Sequence, residues 1–256
     1  MFKNATIYRI TTDFNPELAD VIKGLEATPF VECAPSQKQS TGWIAPREEN
    51  GPLCEAVDRH LILKLRTDTR KVPPEAVAKR TDEIAKQIEE TTGRKPGRKQ
   101  LKEIKEQALQ ELLPLAFIKS SFTTIWIDRK NRMVIMDATG GSRCDAVITT
   151  MVKSLEGFAV ANIHTQMSPT AAMTHWLGTG EAPYSFSVDN ECELHSQDEM
   201  KSVIKYSRHS LDTEEVRNQV KQGKIPTKVA LTWRDRISLV LTSEMTLKKV
   251  AFLDVV

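Results

Sequence analysis

Six basic side chains fall within twelve positions near the middle of the sequence, and we call this set the basic knot. Its members are Arg94, Lys95, Arg98, Lys99, Lys102 and Lys105. Only Glu103 opposes them in that stretch. Lysine and arginine bind phosphate groups, and each contact with a nucleic-acid backbone releases condensed counterions. The knot therefore predicts contact with a polyanion or, as for most charge runs on helices, a solvated face.

An apolar repeat runs through and beyond the basic knot and predicts the helix that positions it. The repeat consists of Leu101, Ile104, Ala108, Leu109, Leu112 and Leu113. This spacing is typical of one buried helical face, over about 98–117. Arg98, Lys102 and Lys105 then lie about one helical turn apart on a second, solvated face. A cationic row with this spacing can follow the backbone of a polyanion.

Two further basic clusters occur late in the sequence. The first contains Lys201, Lys205, Arg208 and His209; the second contains Lys221, Lys224 and Lys228. The net charge of the 256-residue chain is only +2, so affinity for nucleic acid must come from such local asymmetry. Three basic clusters without a catalytic motif favour a binding protein over an enzyme, and no cofactor is predicted.

Glu191, Glu193 and His195 form the strongest enzymatic candidate. On a strand they alternate onto one face, where two carboxylates and an imidazole can hold a divalent metal that activates water for phosphodiester cleavage. The other interpretation is the solvent face of an edge strand, because Cys192 and Leu194 take the opposite face. A metal-dependent nuclease is therefore the alternative function.

Gly140 and Gly141 lie between a predicted strand and a predicted helix, where a phosphate can bind the helix N-terminus. No Lys-Ser/Thr pair follows, so an ordinary tight connection is preferred. The sequence has no Walker loop, Rossmann glycine fingerprint, HExxH or GxSxG motif. Phe117 and Phe122 flank the end of the basic-knot helix, where an exposed aromatic side chain could stack on bases. A core position is the default for a phenylalanine at such a junction.

Composition and targeting signals indicate an ordinary cytosolic protein. Hydrophobic residues make up 40% of the chain and charged residues 27%. The four cysteines show no CxxC pairing, which is typical of reduced thiols in the cytosol. The N-terminus lacks the pattern of a signal peptide, and no apolar run approaches the length of a membrane span. The sequence predicts a soluble, cytoplasmic protein without a membrane partner.

The order of predicted elements indicates an α+β fold with mixed or antiparallel sheets. A helix from Pro73-Pro74 to about 90 and the basic-knot helix follow one another, and they predict a helical hairpin that projects from a sheet domain. Ser142 is predicted to cap a helix. Separate strands are predicted over 184–188 and 192–195. The predicted parts are 1–72 and 118–180 for a central domain, 73–117 for the hairpin tip, and 181–256 for a strand-rich C-terminal domain.

Six motifs in order give the sequence a resemblance to a known family. They occupy positions 1–9, 42–43, 93–99, 112–117, 126–128 and 228–233. Together they resemble the RdgC family of bacterial recombination-associated proteins over nearly the whole sequence. The resemblance implies a non-enzymatic, nucleoid-associated protein that forms a ring-shaped homodimer. The positively charged hole would enclose double-stranded DNA without sequence preference, and this occupancy would restrain strand exchange by the RecA recombinase.

The resemblance also implies roles for individual residues. Phe117 matches an aromatic residue at the end of the family's long helix, near the point of ring closure. Arg208 and His209 match polar and basic positions before the helix that contains Glu214 and Glu215. With the basic clusters, this predicts a DNA-contacting set of Arg94, Lys95, Arg98, Lys99, Lys102, Lys105, Phe117, Arg208, His209 and Lys224. A third class of function, a protein-interaction module that contacts a recombinase directly, stays open.

The sequence departs from the family at its end. Family members usually continue past 248–254 with a further acidic and helical segment, whereas this sequence ends at Val256. The resemblance therefore predicts a short, phage-borne variant or a truncated form.

Overall fold

A computed structural model describes residues 2–253 and has the predicted α+β class. The helices are α1 (Leu18–Glu26), α2 (Pro74–Thr92), α3 (Arg98–Leu112), α4 (Gly141–Ser154), α5 (Pro169–Thr179) and α6 (Glu214–Lys221). The strands are β1 (Ala5–Ile10), β2 (Gln39–Ile44), β3 (Cys54–Val57), β4 (His60–Arg70), β5 (Ile118–Asp128), β6 (Met133–Met136), β7 (Val160–Asn162), β8 (Phe186–His195), β9 (Val203–Ser207), β10 (Ile225–Trp233), β11 (Ile237–Thr242) and β12 (Thr246–Phe252).

The chain divides into two compact units that interleave along the sequence. Unit 1 comprises Met1–Leu18, Glu55–Ile62 and Thr124–Val256, and unit 2 comprises Ala19–Cys54 and Leu63–Thr123. The division into four consecutive segments that the sequence suggested stays a prediction.

Unit 1 is built on a large antiparallel sheet. Its strands follow the order β6, β1, β12, β11, β10, β8 and β9, and β7 also pairs with β1. Helices α5 and α6 contribute Met173, Leu177 and Val216 to a core cluster that also includes Cys192 and Leu194 of β8. Because side chains alternate along a strand, Glu191 and Glu193 belong to the opposite face of this sheet.

Unit 2 combines an antiparallel strand pair with two consecutive helices. β2 pairs with β4 in a register that runs from Gln39 opposite Thr69 to Ile44 opposite Lys64. Helices α2 and α3 pack against each other through a cluster whose buried members are Val77, Ile84, Ile104 and Ala108. The sequence pattern predicted both helices, but the basic-knot helix ends at Leu112 and not at about 117, because Pro114 lies in a 3-10 turn over Leu113–Leu115.

Gly42 lies where residues 28–30 cross closely over β2. Phe30 N donates to Trp43 O at 2.9 Å, and Trp43 N donates to Thr28 O at 3.1 Å. A Cβ atom at position 42 would lie only 2.4 Å from Phe30 Cα and 2.5 Å from Pro29 O. These atoms are backbone atoms, so only glycine permits this close approach.

Two other local predictions were wrong. Ser142 does not cap α4: the N-cap is Gly140, at φ 105°, which has no side chain to form a capping bond. A glycine is needed there because L-residues rarely adopt that backbone region. The strands predicted over 184–188 and 192–195 are one strand, β8, in which Val188 pairs with Leu231 and Cys192 with Val229. Residues 189–191 of β8 thus lie opposite the single residue Ala230 of β10, and this bulge keeps the strand continuous.

The cysteines are buried thiols in both units. Cys33 and Cys54 lie in unit 2, whereas Cys144 and Cys192 lie in unit 1. Burial raises the pKa of the Cys192 thiol to about 12, which keeps it protonated at neutral pH. Among the helices described over residues 2–253, none has both the length and the apolar composition to cross a bilayer.

Candidate nucleic-acid interface

The basic knot occupies the connection between α2 and α3 and the first turns of α3. Helix α2 ends at Gly93, which adopts φ 70° and donates its N–H to Glu89 O at 2.8 Å. Helix α3 begins after Gly97, where Leu101 N donates to Gly97 O at 2.9 Å. Arg94 and Lys95 therefore lie on a short connection between Gly93 and Gly97. The helix begins at Arg98, as the sequence predicted.

All six knot side chains are exposed. Within residues 2–253, none of them forms an ion pair with a carboxylate. Arg98, Lys102 and Lys105 lie on α3 away from the buried Ile104 and Ala108, as the repeat predicted. Their charges are consequently not neutralised by the protein itself. An anion with repeated charges could contact several of them at once.

Helix α3 is held in place by polar as well as apolar contacts with α2. Arg80 of α2 donates from Nε to Glu111 of α3 at 2.8 Å and from Nη1 to Glu83 at 3.2 Å. Gln107 donates to the other oxygen of Glu111 at 3.0 Å. The hydrogen bonds from Arg80 and Gln107 lower the pKa of Glu111. The knot is thus displayed on a helix that its partner helix orients.

Phe117 is not a core residue of the chain, contrary to the default expectation. Its side chain is 90% exposed, and Phe122 is 50% exposed. The backbone around Phe117 is nevertheless fixed, because Arg70 Nη1 donates to Ala116 O at 3.2 Å and Lys71 N donates to Phe117 O at 3.3 Å. Leu113, which is buried, takes the core position of this junction. The phenyl ring is therefore presented to solvent from an ordered backbone.

The other predicted contact residues lie in unit 1, whereas the knot and Phe117 lie in unit 2. Arg208 is exposed at φ 55° and lines a cleft of about 800 Å³ on the sheet, together with Asp189 and Glu191. His209 is exposed, and its Nδ1 lies 2.7 Å from Ser210 O. Lys224 donates from Nζ to Gln219 Oε1 at 2.7 Å. Arg208 and His209 are neighbours in the loop after β9, and Lys224 precedes β10.

One face of β8 contains Glu191, Glu193 and His195. Both carboxylates on this face form ion pairs with lysine side chains. Glu191 accepts from Lys249 Nζ at 2.6 and 2.8 Å. Glu193 accepts from Lys228 Nζ at 2.9 Å and lies 2.8 Å from His195 Nε2. Burial alone would raise the pKa of Glu193. The hydrogen bonds with Lys228 and His195 have the larger effect and lower this pKa to about 2.

This arrangement does not support a metal centre. Over residues 2–253 there is no group of three or more His, Cys, Asp and Glu side chains that could hold a metal ion. Glu193 is locked in ion pairs, so it is a poor metal ligand and a poor general base at neutral pH. Gly140 is the N-cap of α4 and Gly141 is its first residue.

The sequence interpretation missed an array of cations and aromatic rings on β4 and β5. The guanidinium carbon of Arg66 lies 4.2 Å from the centre of the Phe30 ring and 6.0 Å from the centre of the Phe122 ring. Lys64 Nζ lies 5.6 Å from the centre of the Phe122 ring. Lys64, Arg66 and Asp68 alternate along the sequence, which is a signal that they share one face of a strand. Phe30 comes from a distant loop and carries no such signal.

The whole sequence matches one protein family. The matching family model covers residues 1–256 and is described as "Putative exonuclease, RdgC". The chain is 42% identical over 255 residues to the recombination-associated protein RdgC of Cupriavidus pinatubonensis, covering 100% of this chain and 85% of that protein. It is 40% identical to the protein of the same name from Dechloromonas aromatica, covering 99% of this chain and 84% of that protein. With the protein of that name from Bordetella pertussis the identity is 39%, covering 99% and 85%.

Proposed function

The chain belongs to the RdgC family, and on this premise we propose that it is a DNA-binding protein that restrains recombination. It binds double-stranded DNA without sequence preference, encircles it as a homodimer and limits the access of the RecA recombinase. It acts in the cytoplasm at the nucleoid and is not an enzyme. The names of the relatives refer to recombination rather than to catalysis.

The observation that carries this proposal is the unpaired charge of the basic knot. Six exposed cations lie on one helix start and the connection before it, without carboxylate partners among the described residues. Lysine and arginine contacts to phosphate position a protein on DNA but do not distinguish bases. In our proposal helices α2 and α3 project as a hairpin, so that the knot reaches the DNA backbone.

The exposed apolar side chains near Phe117 support a dimer. Leu115, Phe117 and Ile118 are 79%, 90% and 43% exposed. Large exposed apolar groups close together in a chain are typical of interaction sites. A two-fold contact is self-complementary, so the same segment of two copies could close a ring around DNA. Enclosure would then add the contacts of both copies and remove the easy route of dissociation.

Unrelated duplexes should bind with similar affinity, and the affinity should fall steeply as salt rises. The reason is that phosphate contacts, which dominate the binding free energy in this proposal, release counterions. Fluorescence anisotropy with two duplexes of different sequence, over a salt series, measures both properties. Strong preference for one sequence or a flat salt dependence would contradict the proposal. Cleavage of the duplex in magnesium or manganese would contradict the absence of enzymatic activity.

Phe117→Ser should reduce retention on circular DNA with little change in thermal stability. The side chain is 90% exposed, so its loss removes almost no buried contact within the chain. In the proposed ring the same side chain helps to close the contact between copies. Salt-washing protein from nicked circular and from linear DNA measures retention by enclosure, and light scattering measures the assembly state.

Phe252→Ser is the matched control for this test, because Phe252 is also an exposed aromatic residue, at 56%, but lies in unit 1. It should retain the wild-type difference between circular and linear DNA. Equal retention of wild type and Phe117→Ser on circular DNA would separate Phe117 from ring closure. A strictly monomeric wild-type protein would rule out the ring itself.

A further inference from the structure

In the array of cations and aromatic rings on β4 and β5, the buried carboxylate of Asp68 holds the plane of the Arg66 guanidinium. Arg66 donates from Nε to Asp68 Oδ1 at 2.9 Å and from Nη2 to Asp68 Oδ2 at 2.8 Å. Asp68 is only 2% exposed. The hydrogen bonds from Arg66 hold the pKa of Asp68 below its usual value despite burial. A buried carboxylate is costly unless it is paired, so this pair keeps the guanidinium in one orientation.

Two aromatic rings lie near this guanidinium. The Phe30 ring lies 4.2 Å from the Arg66 guanidinium carbon, and the Phe122 ring centre lies 6.0 Å from it. The Arg66 side chain is 31% exposed, and Phe122 is 50% exposed. Phe122 is therefore partly accessible to a ligand, beside the two cations Lys64 and Arg66.

Donors remain available beside this open aromatic surface. Arg66 uses Nε and Nη2 for Asp68, and its Nη1 has no hydrogen bond among the described residues. Lys64 Nζ lies 5.6 Å from the Phe122 ring centre and donates to Pro46 O at 3.3 Å, which leaves two of its three protons. An aromatic surface flanked by such donors fits a flat ring that is linked to a phosphate.

We propose that Phe122, Arg66 and Lys64 form a binding site for an unpaired nucleobase of DNA. The base stacks on Phe122, and the adjoining phosphate accepts from Lys64 and from Arg66 Nη1. In an intact duplex both faces of a base are covered by its neighbours, so the ligand is an unpaired or extruded base. The inference rests on the proposed DNA-binding function and adds to it a preference for DNA that contains unpaired bases.

The test compares two duplexes of the same length, one fully paired and one with a short central bubble of unpaired bases. The full chain should bind the bubble at least about fivefold more tightly, which corresponds to the lower end of one base–aromatic stack. Phe122→Leu should bind both duplexes equally, while its affinity for the paired duplex stays within about twofold of wild type because phosphate contacts persist. Phe122→Tyr should keep the preference, since its ring can stack.

Phe252→Leu is the matched control, because it removes an exposed aromatic ring that lies in unit 1 and should leave the preference for the bubble intact. Equal binding of both duplexes by the wild-type chain would overturn the inference. So would loss of the preference in Phe252→Leu with retention in Phe122→Leu. If the wild-type chain fails to bind even the paired duplex, the proposed function fails first; if it binds that duplex without preferring the bubble, only this inference fails.

Discussion

Replacing Arg98 and Lys102 together by alanine should lower the affinity for duplex DNA roughly 60-fold at about 0.1 M salt. Each lost phosphate contact removes about 0.9 from the slope of log K against log salt concentration, and two contacts give this factor. The helix should persist, because alanine favours helix and both side chains lie off the buried face of α3. Binding titrations over a salt series, with circular dichroism as a check of folding, measure the effect.

Lys79→Ala with Lys86→Ala is the matched control, because it removes the same charge from exposed positions on α2. An equal loss of affinity in this control would indicate a general effect of positive charge, and not direct contacts of Arg98 and Lys102 with phosphates. A folded Arg98/Lys102 variant with the wild-type slope would place the knot away from DNA. Inhibition of RecA strand exchange should fall in parallel with DNA binding. If inhibition survives that loss, the protein acts on the recombinase directly.

Gly42→Ala should lower the free energy of unfolding by about 3 kcal/mol, the upper part of the usual range for overpacking. The new methyl group would meet Phe30 Cα at 2.4 Å and Pro29 O at 2.5 Å, so the backbone of 28–30 must move away from β2. This movement would break the hydrogen bonds that join Phe30 and Thr28 to the buried Trp43. Denaturant unfolding followed by tryptophan fluorescence measures the loss.

Gly178→Ala provides the comparison for that substitution. Gly178 lies in α5, and a Cβ atom there would meet no atom within 4 Å. Alanine should therefore stabilise the protein by about 0.5–1 kcal/mol through its helix preference. If Gly42→Ala unfolds at the same denaturant midpoint as the wild type, residues 28–30 can separate from β2 without a loss of stability.

The basic-knot helix could be predicted from sequence because all of its determinants are local. Its apolar residues repeat with the helical period, and glycines delimit its start, so Arg98 was placed correctly as the first residue of α3. The amphipathic pattern also determined which cations are exposed. Local signals of this kind do not depend on the rest of the fold.

Features that depend on distant parts of the chain could not be predicted in this way. The single strand β8 looked like two, because only the bulge against β10 shows how 189–191 fit the sheet. The exposure of Phe117 depends on Leu113 filling the core position and on bonds from Arg70 and Lys71. The Arg66 array needs Phe30, which joins it from a loop far away in sequence.

The four buried cysteines allow each unit to be studied by thiol chemistry. An alkylating reagent reacts with a thiolate, so it can modify these positions only when the surrounding structure opens. Two thiols lie in each unit, and mass spectrometry of the modified peptides would separate the opening of unit 1 from that of unit 2. A cysteine introduced at the exposed Lys95 would then react selectively in the folded protein. A dye attached there could follow the arrival of DNA at the knot in real time.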